Sequence, residues 1–344
     1  MTQEAPSPEV VQQQAGKVLS HVAGYVGART IDIGLRHGLL EETNRHPDGI
    51  SAEALAKATS LDPFYTCVWC RSAYAAEILE ADDGETFRLA PAMDKLLLDQ
   101  DFPGFAGVLP NVLLQPEMFD MFSENLPSGK RIWWDQCGPD FIEAVSLTAR
   151  PFYMRYIPGG LAKVPGLAEK LGDGAKVLEL ACGTGTGLVR MAEQYPGTSY
   201  VGVDGDAHSL DLVRQRLAGA GLGERVSLKQ SMLEELTFDG EFDLAHINVS
   251  MHECRDIDKV TQGVLRALKP DGYFVISDFP FPDSLEGTRT VPARIMCGIQ
   301  FFEALIDDQL LPTQAYVELL GKHGFRNVGS FDMTPVHAVT YGQK

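Results

Sequence analysis

The stretch Lys176-Val-Leu-Glu-Leu-Ala-Cys-Gly-Thr-Gly-Thr-Gly187 constrains this chain more than any other. Val177 to Leu180 is a short apolar run that reads as a buried strand. The run breaks at Gly183, Gly185 and Gly187, and Leu188 to Gln194 resumes with helical spacing. Strand, glycine turn and helix in succession open a doubly wound α/β domain, which binds nucleotides at that turn. The spacing separates possible ligands. A dinucleotide turn reads G-x-G-x-x-G, and a P-loop ends in Lys followed by Ser or Thr. Neither is present; the turn reads Glu179-x-Ala181-x-Gly183-x-Gly185.

The units that follow keep the alternation. Thr198 to Val203 is a second strand ending in Asp204, 25 residues after Glu179, and Ser209 to Ala218 is a helix. Arg225 to Lys229 is a third strand, followed by the turn Gln230 to Glu234. Phe242 to Asn248 is a fourth, leading into Val249-Ser-Met-His-Glu-Cys254. A helix from Asp256 to Leu268 stops at Lys269-Pro-Asp-Gly272, and Tyr273 to Ser277 is a fifth strand, ending at Asp278. Gly324 to Phe331 and Val336 to Tyr341 read as a closing antiparallel hairpin.

The glycine turn resembles motif I of the class I S-adenosylmethionine (SAM)-dependent methyltransferases, D/E-x-G-x-G-x-G, with Ala181 in place of the first glycine. The stretch Ala267-Leu-Lys-Pro-Asp-Gly-Tyr-Phe-Val-Ile-Ser-Asp278 is similar to the same family, and the likeness covers roughly residues 170 to 344. The resemblance implies a Rossmann-like, doubly wound seven-stranded sheet that binds SAM and releases S-adenosylhomocysteine. It places SAM on Glu179, Ala181, Gly183 and Gly185, with Asp204 accepting the ribose hydroxyls. Ser231 and Met232 would flank the adenine, Ser231 standing where many members have Asp, and Asn248 would complete the contacts. No metal is expected: Glu253 and Asp278 are set aside as a metal pair because metal-dependent relatives use another acidic cluster.

Composition narrows the partners. With 344 residues, 44% of them hydrophobic, the chain can bury one large or two ordinary cores. A formal net charge of −18 disfavours nucleic acid and anionic membranes. Six cysteines and an N-terminus without an apolar signal segment point to a reducing cytoplasm. No apolar run approaches the roughly 20 residues that span a bilayer.

Three regions are expected: 1–100, 101–170 and 171–344. In the first, a mobile tail to about residue 14 overlaps the start of a buried or interface helix, Val10 to Ile33, which carries Val18, Val22, Val26 and Ile31. Leu35 to Glu41 ends it. Ser51 caps a helix to Ala58, and Asp62-Pro63 starts another that runs to about Leu79. Glu80 to Leu89, with Asp83-Gly84 inside, reads as a hairpin. Two helices and a small wing form a winged-helix-like arrangement. The second of these helices carries Arg71 against Asp62 and Glu77, unsuited to tracking phosphates. The family resemblance implies dimerisation instead, giving a homodimer, with a non-catalytic regulator as the rival from another class. Cys67 and Cys70 fall on one helix without a second ligand pair and read as core.

The middle region is rich in aromatics, including Phe102, Phe105, Phe119, Phe122, Trp133, Trp134, Phe141 and Phe152, punctuated into short helices by Pro and Gly. Its last segment, Arg150 to Tyr156, is the candidate lid, with Tyr153 and Tyr156 one turn apart. After Asp278 an insertion runs to Pro312, and its amphipathic helix, Val291 to Ile306, is expected to wall the substrate pocket. The last helix is Thr313 to His323.

His252 matches in register the His of a His-Asp pair that serves O-methyltransferases as a base. A neutral imidazole suits that task. Here Glu253 and Cys254 replace the Asp and Trp that usually follow, so a base and a residue that only holds substrate both stay open. Tyr153, Tyr156, Met251 and Asp278 are candidate pocket residues, and Arg150, Arg155 or Arg294 a clamp for an anionic substrate. Two acceptors fit. One is the hydroxyl of a phenolic or polyketide-type metabolite. The other rests on the likeness of the text around Ala28 to Leu39 to bacterial enzymes that S-methylate methylthiohydroxybutyrate towards dimethylsulfoniopropionate. A thioether gives up no proton, and the reading leans to it.

Overall fold

Capping side chains set the helix starts of the N-terminal part. This computed structural model describes residues 6–82, 84–132, 139–172 and 174–344. The chain divides into two compact units, residues 1–100 with 105–111, and residues 101–104 with 112–344. In the first, Ser7 Oγ accepts the Val10 amide at 3.4 Å and opens α1 (Pro8–Arg36). The expected tail is therefore helical from Pro8, and residues 1–5 lie outside the described residues. Gly38, at φ +67°, turns the chain into α2 (Leu39–Asn44), where the sequence suggests only a helix end.

Ser51 caps α3 (Ala52–Thr59), and Asp62 Oδ1 takes the Phe64 and Tyr65 amides at 2.9 and 3.0 Å to start α4 (Pro63–Ala75). The latter stops at Ala75 rather than near Leu79. Glu77 adopts a left-handed φ of 57°, and the Ile78 amide bonds back to the Ala73 carbonyl. Strands β1 (Ile50–Ser51), β2 (Leu79–Glu80) and β3 (Thr86–Leu89) form an antiparallel sheet in the order β1-β3-β2, and α5 (Met93–Leu97) follows. Asp83 of the expected hairpin turn lies outside the described residues. Leu40, Leu55, Trp69, Cys70 and Ile78 share the core. Burial pushes the Cys70 thiol up to about 12, as suits a packing residue. Val18, Val22 and Val26 are exposed on α1, and Phe64 and Tyr65 on α4.

The second unit starts with separate helices, α6 (Pro116–Asn125), α7 (Pro139–Arg155) and α8 (Leu167–Gly172). Trp133, Trp134 and the Phe141 side chain lie outside the described residues. The chain then continues as β4 (Lys176–Leu180), α9 (Thr186–Gln194), β5 (Ser199–Asp204), α10 (Ala207–Gly219), β6 (Val226–Gln230), β7 (Phe242–Asn248) and α11 (Ile257–Ala267). It ends with β8 (Leu268–Asp278), α12 (Val291–Leu305), α13 (Thr313–Lys322), β9 (Arg326–Thr334) and β10 (His337–Gln343). The sheet order is β6-β5-β4-β7-β8-β10-β9, a seven-stranded doubly wound sheet as expected. Strand β4 pairs in parallel with β5 and β7, and only β10 runs antiparallel to its neighbours β8 and β9. Strand β8 takes in Lys269 to Gly272, expected as a turn, with a register shift against β7 between Phe242 and Leu244.

Strand order reverses between β4 and β7, and sheets of this kind bind ligands at the carboxyl ends of such strands. Side chains of β4 alternate between two cores. Val177 packs with Tyr156 and Leu188, whereas Leu178 and Leu180 pack with Val264 and Phe274. Glu179 falls on the Val177 face and is wholly buried. Among the described residues no helix is long and apolar enough to cross a membrane.

Arg225, just before β6, closes the end of α9. Its guanidinium donates to the carbonyls of Ala192, in the last turn of α9, and of Tyr195 and Thr198 just beyond it, at 3.0–3.2 Å. Lysine has no planar fork to reach all three. Arg225→Lys is expected to lower stability by about 1–2 kcal/mol, seen as a lower urea midpoint at unchanged slope. An unmoved midpoint would assign the bonds no weight.

Candidate functional site

After β4 the backbone takes a run of left-handed residues, with φ of 48° at Ala181, 50° at Gly183 and 81° at Gly185. At Ala181 this costs on the order of 1 kcal/mol that glycine would not incur. The Gly183 amide donates to Asp204 Oδ2 at 2.8 Å, and the Asp206 amide to Oδ1 at 2.9 Å. Asp204, at the tip of β5, is thus tied across the turn. Burial raises its pKa, and these amides pull it back. A carboxylate has about four lone-pair sites, so Asp204 keeps capacity for further donors. Gly187 leaves no room for a side chain: a Cβ would lie 2.2 Å from Glu179 Oε1 and 2.3 Å from the Tyr153 ring.

A cavity of about 510 Å³ opens at these strand ends. The β4 and β5 turns give it Ala181, Gly183, Thr184 and Asp204, and the β6 turn gives Met232 and Glu234. Helix α7 adds Val145, Ser146, Ala149 and Tyr153, spaced to share one face. The rest of the wall includes Asn248, Val249, Glu253, Arg255, Phe279, Phe302, Glu303 and Asp308.

Behind the glycine turn lies a buried polar chain. Tyr153 donates its hydroxyl to Glu179 Oε1 at 2.7 Å, and the Tyr156 hydroxyl is 2.6 Å from His246 Nδ1. Glu179 Oε2 and His246 Nε2 face each other at 3.7 Å. Burial drives both towards neutrality, raising Glu179 to about 8 against the pull of Tyr153 and lowering His246 to about 3. At neutral pH this is an uncharged pair, not a salt bridge.

A second cluster sits beside the cavity. His252 Nδ1 lies 2.9 and 3.0 Å from the two Asp278 oxygens, and its Nε2 faces Glu303 Oε1 at 3.7 Å. Asp278 also accepts the Tyr316 hydroxyl and the Phe279 amide, each at 2.8 Å. Burial presses the His252 pKa down, but the Asp278 and Glu303 carboxylates more than reverse this and hold it well above its usual value. Burial raises Glu253, and raises Asp308 to about 7 with help from Glu303. His252, Glu253 and Glu303 each bring a ligand atom within 4.8 Å of the others, a compact cluster that the sequence does not suggest.

A family profile described as "Methyltransferase domain" matches residues 171–319. A ubiquinone/menaquinone biosynthesis C-methyltransferase of Citrifermentans bemidjiense is 33% identical over 186 residues, 50% of this chain and 79% of that protein. The chain belongs to the class I SAM-dependent methyltransferases. It spans only 43% and 51% of the length of two other curated methyltransferases, at 35% and 33% identity. Solved structures agree in fold. The mitomycin 7-O-methyltransferase MmcR superposes with a TM-score of 0.74 at 17% identity, covering 98% of this chain and 100% of that one. Human N-acetylserotonin methyltransferase, solved with SAM, gives 0.73 at 13% identity, covering 100% and 99%.

The cavity fits the cofactor of this methyltransferase. Asp204 would present carboxylate lone pairs to it, and Gly183 would let it approach the main chain without meeting a Cβ. Of the residues that the resemblance gives to SAM, Ala181, Gly183, Asp204, Met232 and Asn248 line the cavity, and Glu179, Gly185 and Ser231 do not. Glu179 lies under the turn and holds Tyr153; Gly185 starts α9. The Ser231 amide is tied to the Asp204 carbonyl, and its hydroxyl turns to the Met232 carbonyl at 3.0 Å.

On the acceptor side Tyr153 lines the wall, while Tyr156, Met251, His252 and Asp278 are buried behind it. The three expected arginines lie elsewhere. Arg150, one residue past Ala149, sits about 100° round the helix from the cavity face and pairs with Asp101 at 2.6 Å. Arg155 bonds His337 Nδ1 and the Pro103 carbonyl, and Arg294 is exposed on α12. The arginine in the wall is Arg255, which the sequence reading missed although it follows His252 by three residues. Helix α12 does wall the pocket, with Ile299, Phe302 and Glu303. Glu303 was missed too; a carboxylate inside so apolar a helix was its signal.

Glu179 gives a signed pH dependence. Below about 4.5, its ordinary value, folded and unfolded chains both hold the proton, and the residue is neutral to stability. Between there and about 8 only the folded chain keeps it, so stability falls as pH rises and then levels off. Glu179→Gln keeps an acceptor for Tyr153 and removes this term. Its thermal midpoint should fall less than that of the wild type between pH 5 and pH 8. Parallel curves would mean that Glu179 ionises normally.

Proposed function

We propose that this SAM-dependent methyltransferase acts on a small thioether that carries a carboxylate, with methylthiohydroxybutyrate as the acceptor and a sulfonium precursor of dimethylsulfoniopropionate as the product. One observation carries the reading: both ring nitrogens of His252 face carboxylates, Asp278 on one side and Glu303 on the other. An imidazole held in this way stays protonated at neutral pH and has no lone pair to receive a hydroxyl proton. A thioether sulfur needs no base.

SAM, when bound, supplies an electrophilic methyl group on its sulfonium. The chain's own part is alignment and charge. Phe279 and Phe302 form an apolar wall that excludes water from the attacking sulfur. Glu303 and Asp308 suit the positive charge that a sulfur acceptor gains, and Arg255 suits the acceptor's carboxylate. The acidic cluster is thereby read as a cation-stabilising wall rather than a metal site.

A second reading, O-methylation of a phenolic or polyketide-type metabolite, is favoured by the register of His252 and by a structural neighbour named as an O-methyltransferase. Acceptor turnover, followed as S-adenosylhomocysteine release, separates the two. With the thioether, His252→Gln should raise KM more than it lowers kcat, high pH should not restore the rate, and EDTA should leave wild-type activity unchanged. A phenol as the preferred acceptor, with a kcat loss of roughly 10²–10⁴-fold that high pH reverses, would establish the second reading.

We infer also that the first unit dimerises with a second copy of the chain and does not bind nucleic acid. Val18, Leu19, Val22 and Tyr25 on α1, and Phe64 and Tyr65 on α4, are each more than half exposed, an apolar display on a chain of net charge −18. Free thiols at Cys67, Cys70, Cys182, Cys254 and Cys297 suit a reducing cytoplasm. Light scattering should give the mass of two chains, and Val22→Glu should shift it towards one. A single-chain mass for the wild type would refute the inference.

A further inference from the structure

Four polar side chains run in line from the end of α7 to the cavity. Arg155 Nε donates to His337 Nδ1 at 3.1 Å, His337 Nε2 is 2.8 Å from Ser277 Oγ, and Ser277 Oγ donates to Asn248 Oδ1 at 2.6 Å. Ser277 and His337 are fully buried, and Asn248 nearly so.

Each link fixes the next. A guanidinium only donates, so His337 Nδ1 is the bare nitrogen and the ring proton sits on Nε2. Burial, and then the Arg155 charge, hold the imidazole neutral. Nε2–H donates to Ser277 Oγ, which leaves the hydroxyl proton to Asn248 Oδ1. The amide orientation, ordinarily an assignment between two near-identical ends, is thereby determined. Asn248 Nδ2 is left towards the Ala149 carbonyl at 3.4 Å, and both residues line the cavity. That contact is long, so the N–H2 group keeps donor capacity. All the dipoles point the same way from a cation, which strengthens the last donor.

We propose that Arg155, His337 and Ser277 are positioning residues that present the Asn248 N–H2 group as a fixed donor to a ligand carboxylate. The line begins at a positive charge and ends in a donor, and a carboxylate is the acceptor that gains most from such a donor. Two carboxylates qualify, the methionyl carboxylate of SAM and that of the acceptor. The proposal takes the cavity as the methyl-transfer site, which S-adenosylhomocysteine binding by the wild type checks separately.

Calorimetric titration of the full chain with S-adenosylhomocysteine and with 5′-methylthioadenosine, which lacks the amino-acid carboxylate, tests it. Ser277→Ala cuts the line, and His337→Phe removes its middle. His337→Gln keeps one acceptor and one donor. Asn248→Asp keeps the shape of the last residue and loses its N–H2, should the buried variants fail to fold.

If the methionyl carboxylate is the ligand, Ser277→Ala, His337→Phe and Asn248→Asp weaken S-adenosylhomocysteine binding roughly tenfold or more. In that case 5′-methylthioadenosine binding holds, and His337→Gln recovers most of the loss. If the acceptor's carboxylate is the ligand, nucleoside binding holds, and KM for the acceptor rises by the same factor at unchanged kcat. Equal loss for both nucleosides, or no change in any of these quantities, would overturn the proposal.

Discussion

A carboxylate buried in the central strand of the sheet is the constraint on which the site depends. Glu179 stands where the strand's apolar run would suggest Val or Leu, and it is neutral at pH 7 because burial outweighs the pull of its hydrogen bond. That neutrality lets it sit deep in the core, where it accepts from Tyr153. The bond fastens α7 over the glycine turn and sets Tyr153 into the cavity wall. Gly187 is the steric counterpart: the glycine that the motif spells is needed because the carboxylate and the tyrosine ring fill the space of a side chain. A single buried acid thus joins the turn, the helix above it and the cavity between them.

The sheet and the cofactor turn were legible for a local reason. Val177 to Leu180 must be a strand because both of its faces are buried, and Gly183 and Gly185 must turn because their φ is positive. Asp204 follows from its place at a strand tip. Errors of extent came at the ends of elements. The sequence could not show that the Ile78 amide bonds back to Ala73 and ends α4, nor that Lys269 to Gly272 fall inside β8, at its register shift against β7. Ala181 shows the converse. Its methyl group costs little enough for the turn to keep its left-handed φ.

The acceptor side was less legible, because it is assembled from side chains distant in sequence. Arg150 and Arg155 sit on the predicted helix, yet neither lines the cavity, whereas Val145, Ser146, Ala149 and Tyr153 of the same helix do. A helix pattern gives spacing; it does not give rotation about the axis. Arg255 and Glu303 arrive from a strand end and from α12, 48 residues apart. His252 was visible as a motif residue, but its protonation depends on Glu303, which no local pattern links to it.

The two halves of the cavity therefore differ in how they bind charge. At the glycine turn the groups are main-chain amides and one tethered carboxylate, Asp204, whose pKa burial raises and those amides pull back. Beside His252 the charges are mutual: Asp278 and Glu303 hold the imidazole protonated, and burial brings Asp308 to about 7. Adding a cation to such a set draws protons off its acids; adding an anion draws protons on. An acceptor that enters as an anion and leaves with a new positive charge on sulfur meets both responses in turn. A neutral phenol that gains a methyl group and sheds a proton would need an unprotonated nitrogen on His252, and the Glu303 carboxylate stands opposite Nε2. In the proposed thioether reading it is thus the second carboxylate, and not the histidine itself, that argues against a hydroxyl acceptor.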